Sequence, residues 1–229
     1  MNIERYLTEH RQGTPLQILR LLRQGRVTVN SDVIDSPRTT VVEADNVRVD
    51  GMTVTGRQPQ YLVFNKPVGF QLSMDPTMPH SLGSLLNAFD QPRQLDALAD
   101  LPKEAVGLVL TSDDVRFLTD VTGQNWPSRF QVQVSGTVVP TLAPNQAFQD
   151  VTMQVDQVHQ QVTVALTTID SAMAVAALEK LPDVLGPVER LAVGPLRLPV
   201  DLPVGAYRGL LPTEIDELTG PLDEKIKTN

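Results

Sequence analysis

The sequence predicts an α+β protein built from two unequal modules, and three observations carry that reading. Charge divides the chain: residues 1–58 hold eight Arg and no Lys against seven Asp or Glu, a net of +1, whereas the remainder carries −9. The first module reads as two helices followed by two short strands. The second opens on a strand and a Pro/Gly turn, "YLVFNKPVG", beyond a linker "GRQPQ" from Gly56 to Gln60.

Taken in order, Ile3 to Glu9 fits a short first helix. In "TPLQILRLLRQGRVTVN", Thr14 is a natural N-cap, Pro15 suits the first turn, and Gln17 completes a capping box. Leu19 and Leu22 carry an apolar stripe, and Gly25 stops the helix. Val27 and Val29 then alternate with polar neighbours as a strand does. A second strand, with Val47 and Val49, runs into the tight-turn pair Asp50-Gly51. In the second module Tyr61, Val63 and Phe64 give a strand, and Asn65 to Gly69 a turn in which Lys66 reads as a solvated residue.

Composition narrows the function. A chain of 229 residues can bury a sizeable core. With no cysteine it has no disulfide framework, thiol nucleophile or thiolate metal site. No stretch reaches the apolar length of a membrane span, and "MNIERYLTEH" lacks the core of a signal peptide, so a cytoplasmic protein without a membrane partner is expected. The acidic balance disfavours non-specific adhesion to nucleic acid.

Helix, helix and "RQGRVTVN…VDG" resemble the alpha-L RNA-binding domain, over about fifty residues. The resemblance implies that Arg5, Arg20, Arg23 and Arg26 grip RNA phosphates, since guanidinium groups bind phosphate bidentately. Read without it, the four are solvated helix-face charges. Where relatives begin the second helix with Ser-Arg-Arg, this chain has Thr14-Pro15-Leu16, so a retained fold with weakened RNA affinity is expected.

That head followed by "NKPVGFQLS" resembles the ribosomal small-subunit family of pseudouridine synthases. Three further stretches extend the likeness. "LGSLLNAF" (Leu82 to Phe89) sits where the family has an amphipathic helix, and "GLVLTSDDVRFLTDVT" (Gly107 to Thr122) matches its Gly-Leu-Leu-Leu strand and following helix. "VERLAVGPLRLPVDLPVGAYRGLLPTEIDEL" (Val188 to Leu218) matches its closing segment. The resemblance implies an α+β fold, with an alpha-L type domain at 1–58 and a synthase-like domain with a largely antiparallel sheet at 61–229. It also implies isomerisation of one uridine without a cofactor.

The chemistry needs a carboxylate beside the ribose. The family places that Asp just before the Gly-Leu-Leu-Leu strand. Reading back from Gly107 without gaps, Pro102 stands there, and Asp100 stands where a partner Arg belongs. Proline offers no acid, base or N–H. Asp100 shares the face of Pro102 if the segment is a strand, roughly 7 Å away. Asp96, in "RQLD", needs an insertion, and Glu104 holds the family's second acidic position rather than the catalytic one. In "IDSAMAVAALEKL", the same reading puts Ala172 in place of an aromatic residue that would stack on a flipped base, and Ala176 and Ala177 in place of paired Arg.

No other constellation competes. His10, His80 and His159 are isolated, with no metal-ligand spacing; "TSDD" (Thr111 to Asp114) reads as a turn and helix cap; Trp126 reads as packing. Three functions therefore follow from the sequence. The first is a catalytically impaired synthase relative that binds ribosomal RNA or the ribosome weakly through its Arg residues and Lys66. The second is a divergent active synthase using Asp100 or Asp96. The third is a module with a protein partner and no RNA binding.

Overall fold

A computed structural model describes residues 1–42, 44–54, 59–88, 90–91, 93–98, 101–142 and 145–220. The chain separates into two compact units. The first is Met1–Pro59 with Leu86–Gln94; the second is Gln60–Leu85 and the chain from Leu95 onwards. Most of the expected linker, residues 56–58, lies outside the described residues.

In the first unit, α1 (Ile3–Glu9) and α2 (Pro15–Arg23) pack on a four-stranded antiparallel sheet. α2 begins as its sequence dictates: the Thr14 hydroxyl accepts from the Gln17 N–H, and the Gln17 side chain accepts from the Thr14 N–H. Its buried stripe is Ile18 and Leu22, with Leu19 only half-buried. The stripe is thus rotated by one residue from the expected Leu19 and Leu22. The sheet is β1 (Val27–Val29), β2 (Asp32–Val33), β3 (Val47–Val49) and β4 (Met52–Thr53), in the order β2-β1-β3-β4. Both hairpins turn on two residues with positive φ, Asn30-Ser31 and Asp50-Gly51, the conformation that suits the twist of antiparallel strands. Valines 27, 29, 47 and 49 face the helices and are buried. Within this unit Arg11 approaches Asp90 at 3.8 Å.

The second unit is built on one sheet. Its strands are β5 (Tyr61–Lys66), β6 (Asp96–Ala97), β7 (Val106–Ser112), β8 (Ser128–Ser135), β9 (Gln149–Asp156), β10 (Gln161–Thr168), β11 (Glu189–Val193), β12 (Leu196–Arg197) and β13 (Tyr207–Gly209). The main order is β13-β5-β7-β11-β8-β10-β9, and every pairing is antiparallel except β7 with β11. α3 (Val115–Gly123), α4 (Ser171–Leu178) and α5 (Pro212–Thr219) cover it. The α+β class and the largely antiparallel sheet are those expected.

Two expectations need correction. Leu82–Leu85 forms a single 3-10 turn rather than an amphipathic helix. Gly83 is pressed against the 74–75 backbone so closely that a Cβ would meet the Met74 carbonyl oxygen at 2.1 Å. The Asn87 side chain then accepts from the Asp90 N–H and starts a separate turn. Second, Pro102 does not lie in a strand. The Ala105 N–H donates to the Pro102 carbonyl at 3.2 Å, closing a turn ahead of β7.

Candidate active-site region

Lys66 ends β5 on the same face as Leu62 and Phe64, and all three are buried. Its side chain is fully buried, so it is not the solvated turn residue expected. The ammonium donates to the carbonyls of Ala105 (2.6 Å), Lys103 (3.0 Å) and Pro67 (3.2 Å). The Gly69 N–H also donates to the Lys103 carbonyl at 2.7 Å, with Gly69 at φ +80°. One buried cation therefore ties the Pro67–Gly69 turn to the Pro102–Ala105 turn. Burial pushes its pKa down to about 8, Glu104 opposes that shift, and Arg190 adds to it.

Arg190 is the second buried cation. It lies on β11 in step with buried Val188 and Ala192, and its Nε donates to the Leu108 carbonyl at 2.7 Å. Its Nη1 reaches the Ser171 hydroxyl at 3.5 Å, at the start of α4. The parallel register sets Arg190 opposite Gly107, and the strands come so close that a Cβ on Gly107 would lie 2.3 Å from the Arg190 carbonyl oxygen. Only glycine fits there, and its φ of +106° reinforces the requirement.

Among the described residues, the acidic candidates do not gather at this point. Pro102 is half-buried at the turn. Asp96 is exposed on β6 opposite Ser112, at the far end of β7 from that turn, about 20 Å of strand away. Glu104 is half-exposed beside Lys103, 3.8 Å from its ammonium. Asp100 lies outside the described residues.

The comparisons with known proteins bear on this geometry. No family model matches the chain. An uncharacterized RNA pseudouridine synthase of Aquifex aeolicus is 27% identical over 127 residues, 55% of this chain and 53% of that protein. Ribosomal small subunit pseudouridine synthase A of Yersinia pestis is 30% identical over 126 residues, 53% of this chain and 52% of that protein. The chain thus spans about half the length of the curated relatives it matches. A crystal structure of pseudouridylate synthase superposes with a TM-score of 0.53 at 20% identity, covering 95% of this chain and 99% of that one, which establishes the fold. The chain is therefore similar to RNA pseudouridine synthases in sequence over about half of its length, and in fold over nearly all of it.

In this chain, α4 keeps its helix through Asp170, whose carboxylate caps the Met173 N–H. Ala172 and Ala176 face solvent and Ala177 is half-buried. A cleft of about 390 Å³ beside Ala176 and Ala177 has a largely apolar lining that includes Leu142, Phe148 and Met173, with Thr141, Asn145 and Lys180 as its polar members.

The head arginines divide into two pairs. Arg5 donates to Glu9 at 2.8 Å and Arg26 is held by Asp50, whereas Arg20 and Arg23 are exposed on α2 with no ion pair among the described residues. Elsewhere, Asp114 caps α3 by accepting from the Arg116 and Phe117 N–H groups and also accepts from the Tyr61 hydroxyl at 2.9 Å. Trp126 donates to the Leu218 carbonyl and packs on Gly194. His10 stacks on Tyr6, His80 packs edge-on to Phe70, and His159 pairs with Asp156. Arg190 was missed as a site residue. Its signal was an arginine two residues from Val188 and two from Ala192, on the face of a strand that ought to be apolar.

Proposed function

We propose that this chain is a catalytically impaired relative of the small-subunit pseudouridine synthases that retains a weak RNA- or ribosome-binding role through an alpha-L type head spanning residues 1–58. The observation that carries the reading is the Pro102–Ala105 turn. The residue aligned with the catalytic Asp is a pyrrolidine whose carbonyl accepts from the Ala105 N–H, and the buried Lys66 ammonium lies beside the same turn. Glycosidic cleavage and carbon–carbon rejoining need a carboxylate within hydrogen-bond reach. Among the described residues, the acid next to the turn is Glu104, half-exposed and facing Lys103. The alanines of α4 support the same reading, because they offer no ring to stack on a flipped base. The relatives named as ribosomal small subunit synthases support ribosomal RNA as the ligand.

The test is to incubate the purified protein with small-subunit ribosomal RNA transcript and score pseudouridine by carbodiimide adducts and primer extension. The expected result is no site above the protein-free control. Turnover abolished by Asp100→Asn or Asp96→Asn would establish a divergent active synthase instead. The apolar cleft beside α4 favours a second reading, a module for a protein partner. RNA binding that is indifferent to Arg20→Ala and Arg23→Ala would favour it.

A further inference from the structure

We infer that Asp50 acts as a built-in phosphate mimic, occupying Arg26 and holding the head's RNA affinity below what its arginines could deliver. The inference rests on the RNA-binding reading above. Arg26 donates from Nε and Nη2 to the two carboxylate oxygens of Asp50, both at 2.6 Å. That two-pronged grip is the one a guanidinium makes on a phosphate diester. The pair is not a chance meeting of long side chains. Asp50 sits at the first position of the β3–β4 turn with φ 54°, and its backbone N–H donates to the Arg26 carbonyl at 2.9 Å. The turn therefore delivers a carboxylate to the one arginine at the mouth of β1.

Arg26 remains accessible, with its side chain 46% exposed, and Asp50 is 39% exposed. The interaction also stabilises the charged form of each partner, raising the Arg26 pKa and lowering that of Asp50 chiefly through their hydrogen bond. Arg23 and Arg20, three and six residues earlier on α2, carry no such carboxylate among the described residues. Of the arginines assigned to phosphate, Arg20 and Arg23 are thus open, and Arg26 is closed by a group competing for the same geometry. An RNA phosphate must displace Asp50 to engage Arg26, whereas it meets Arg20 and Arg23 directly.

The experiment uses the full chain and a fluorescently labelled short RNA hairpin, with anisotropy read across a salt series. Asp50→Asn is the central variant, because asparagine tolerates positive φ and keeps the turn. Asp35→Asn removes the same charge from an exposed head residue that has no arginine partner among the described residues. Asp50→Asn should bind about two- to fivefold tighter than wild type, the scale of an exposed ion pair. Its log–log salt slope should steepen by about one phosphate contact. Asp35→Asn should give less, and Arg26→Ala combined with Asp50→Asn should erase the gain. If wild type binds RNA but Asp50→Asn matches Asp35→Asn, or the gain survives without Arg26, the mimic is overturned while RNA binding stands. If neither wild type nor Asp50→Asn binds, the RNA reading itself fails.

Discussion

Lys66 donates its ammonium to the carbonyl of Ala105 across 2.6 Å, with both residues fully buried, and this bond staples two turns that the chain separates by 39 positions. Replacing Lys66 by Met would leave the carbonyls of Ala105 and Lys103 without that donor, at a cost greater than the relief of burying no charge. Lys66→Met should therefore lower the unfolding free energy by on the order of 3 kcal/mol. Urea unfolding followed by circular dichroism measures it. A midpoint equal to wild type would mean that the staple contributes nothing.

Gly107→Ala should be among the most damaging single-methyl changes in the protein. The added Cβ meets the Arg190 carbonyl at 2.3 Å, a backbone atom that cannot swing aside, and the residue holds φ +106°. A loss on the order of 3 kcal/mol follows. Gly186→Ala, where a Cβ would find nothing within 4 Å, should change the thermal midpoint little. Equal midpoints for the two variants would contradict the close approach of β7 and β11.

Tyr61 gives a pH signature. Burial first, then its hydrogen bond to Asp114 and the charges of Asp114 and Asp113, push the hydroxyl up to about 12. Its unfolded value is about 10. Because the folded pKa is the higher one, its contribution to stability is complete below pH 10 and is lost as pH rises through 12. Ultraviolet titration should show a tyrosine ionisation near pH 12 that Tyr61→Phe abolishes. A late step that survives in Tyr61→Phe would mean that Tyr61 is not its source.

On the impaired-synthase reading proposed above, restoring the acid alone should not restore the reaction. Pro102→Asp combined with Asp100→Arg would rebuild the motif expected from the resemblance but leave alanines at 172, 176 and 177 of α4. Catalysis requires position as well as chemistry, and a misplaced group costs 100-fold or more on the order-of-magnitude scale of such effects. Pseudouridine formation by the double variant should stay at least about 100-fold below an active synthase assayed alongside it. Turnover within tenfold of that enzyme would show that α4 is dispensable.

Local rules made the head readable. The Thr14–Gln17 capping box, Gly25 and the Asp50-Gly51 turn are decided within a few residues of each other, and α1, α2, β1 and β3 appear where those signals put them. β2 and β4 were not anticipated, because two-residue strands carry no periodicity of their own. In the second unit, Trp126 and Asp114 behave as their neighbourhoods suggested. Lys66 did not, since nothing near it in sequence announces that the carbonyls of residues 103 and 105 converge on its ammonium. The proline at position 102 was legible as a letter in a motif. Its turn was not, because the choice between strand and turn there is made by Lys66 and Gly69 from across the sheet.

The pairing of β5 with β13 also sets a timetable. Phe64 lies opposite Tyr207 with their rings stacked at 4.8 Å, and the Asn65 side chain bonds the Leu202 carbonyl, 137 residues further on. During synthesis β5 emerges early and waits for that partner. At usual elongation rates the wait is roughly 7–30 s, far longer than a hairpin needs to close. Throughout it, one of the most apolar strands of the body has an unfilled edge, so a nascent chain arrested before Tyr207 would be a target for chaperones or for pairing with its neighbours on a polysome.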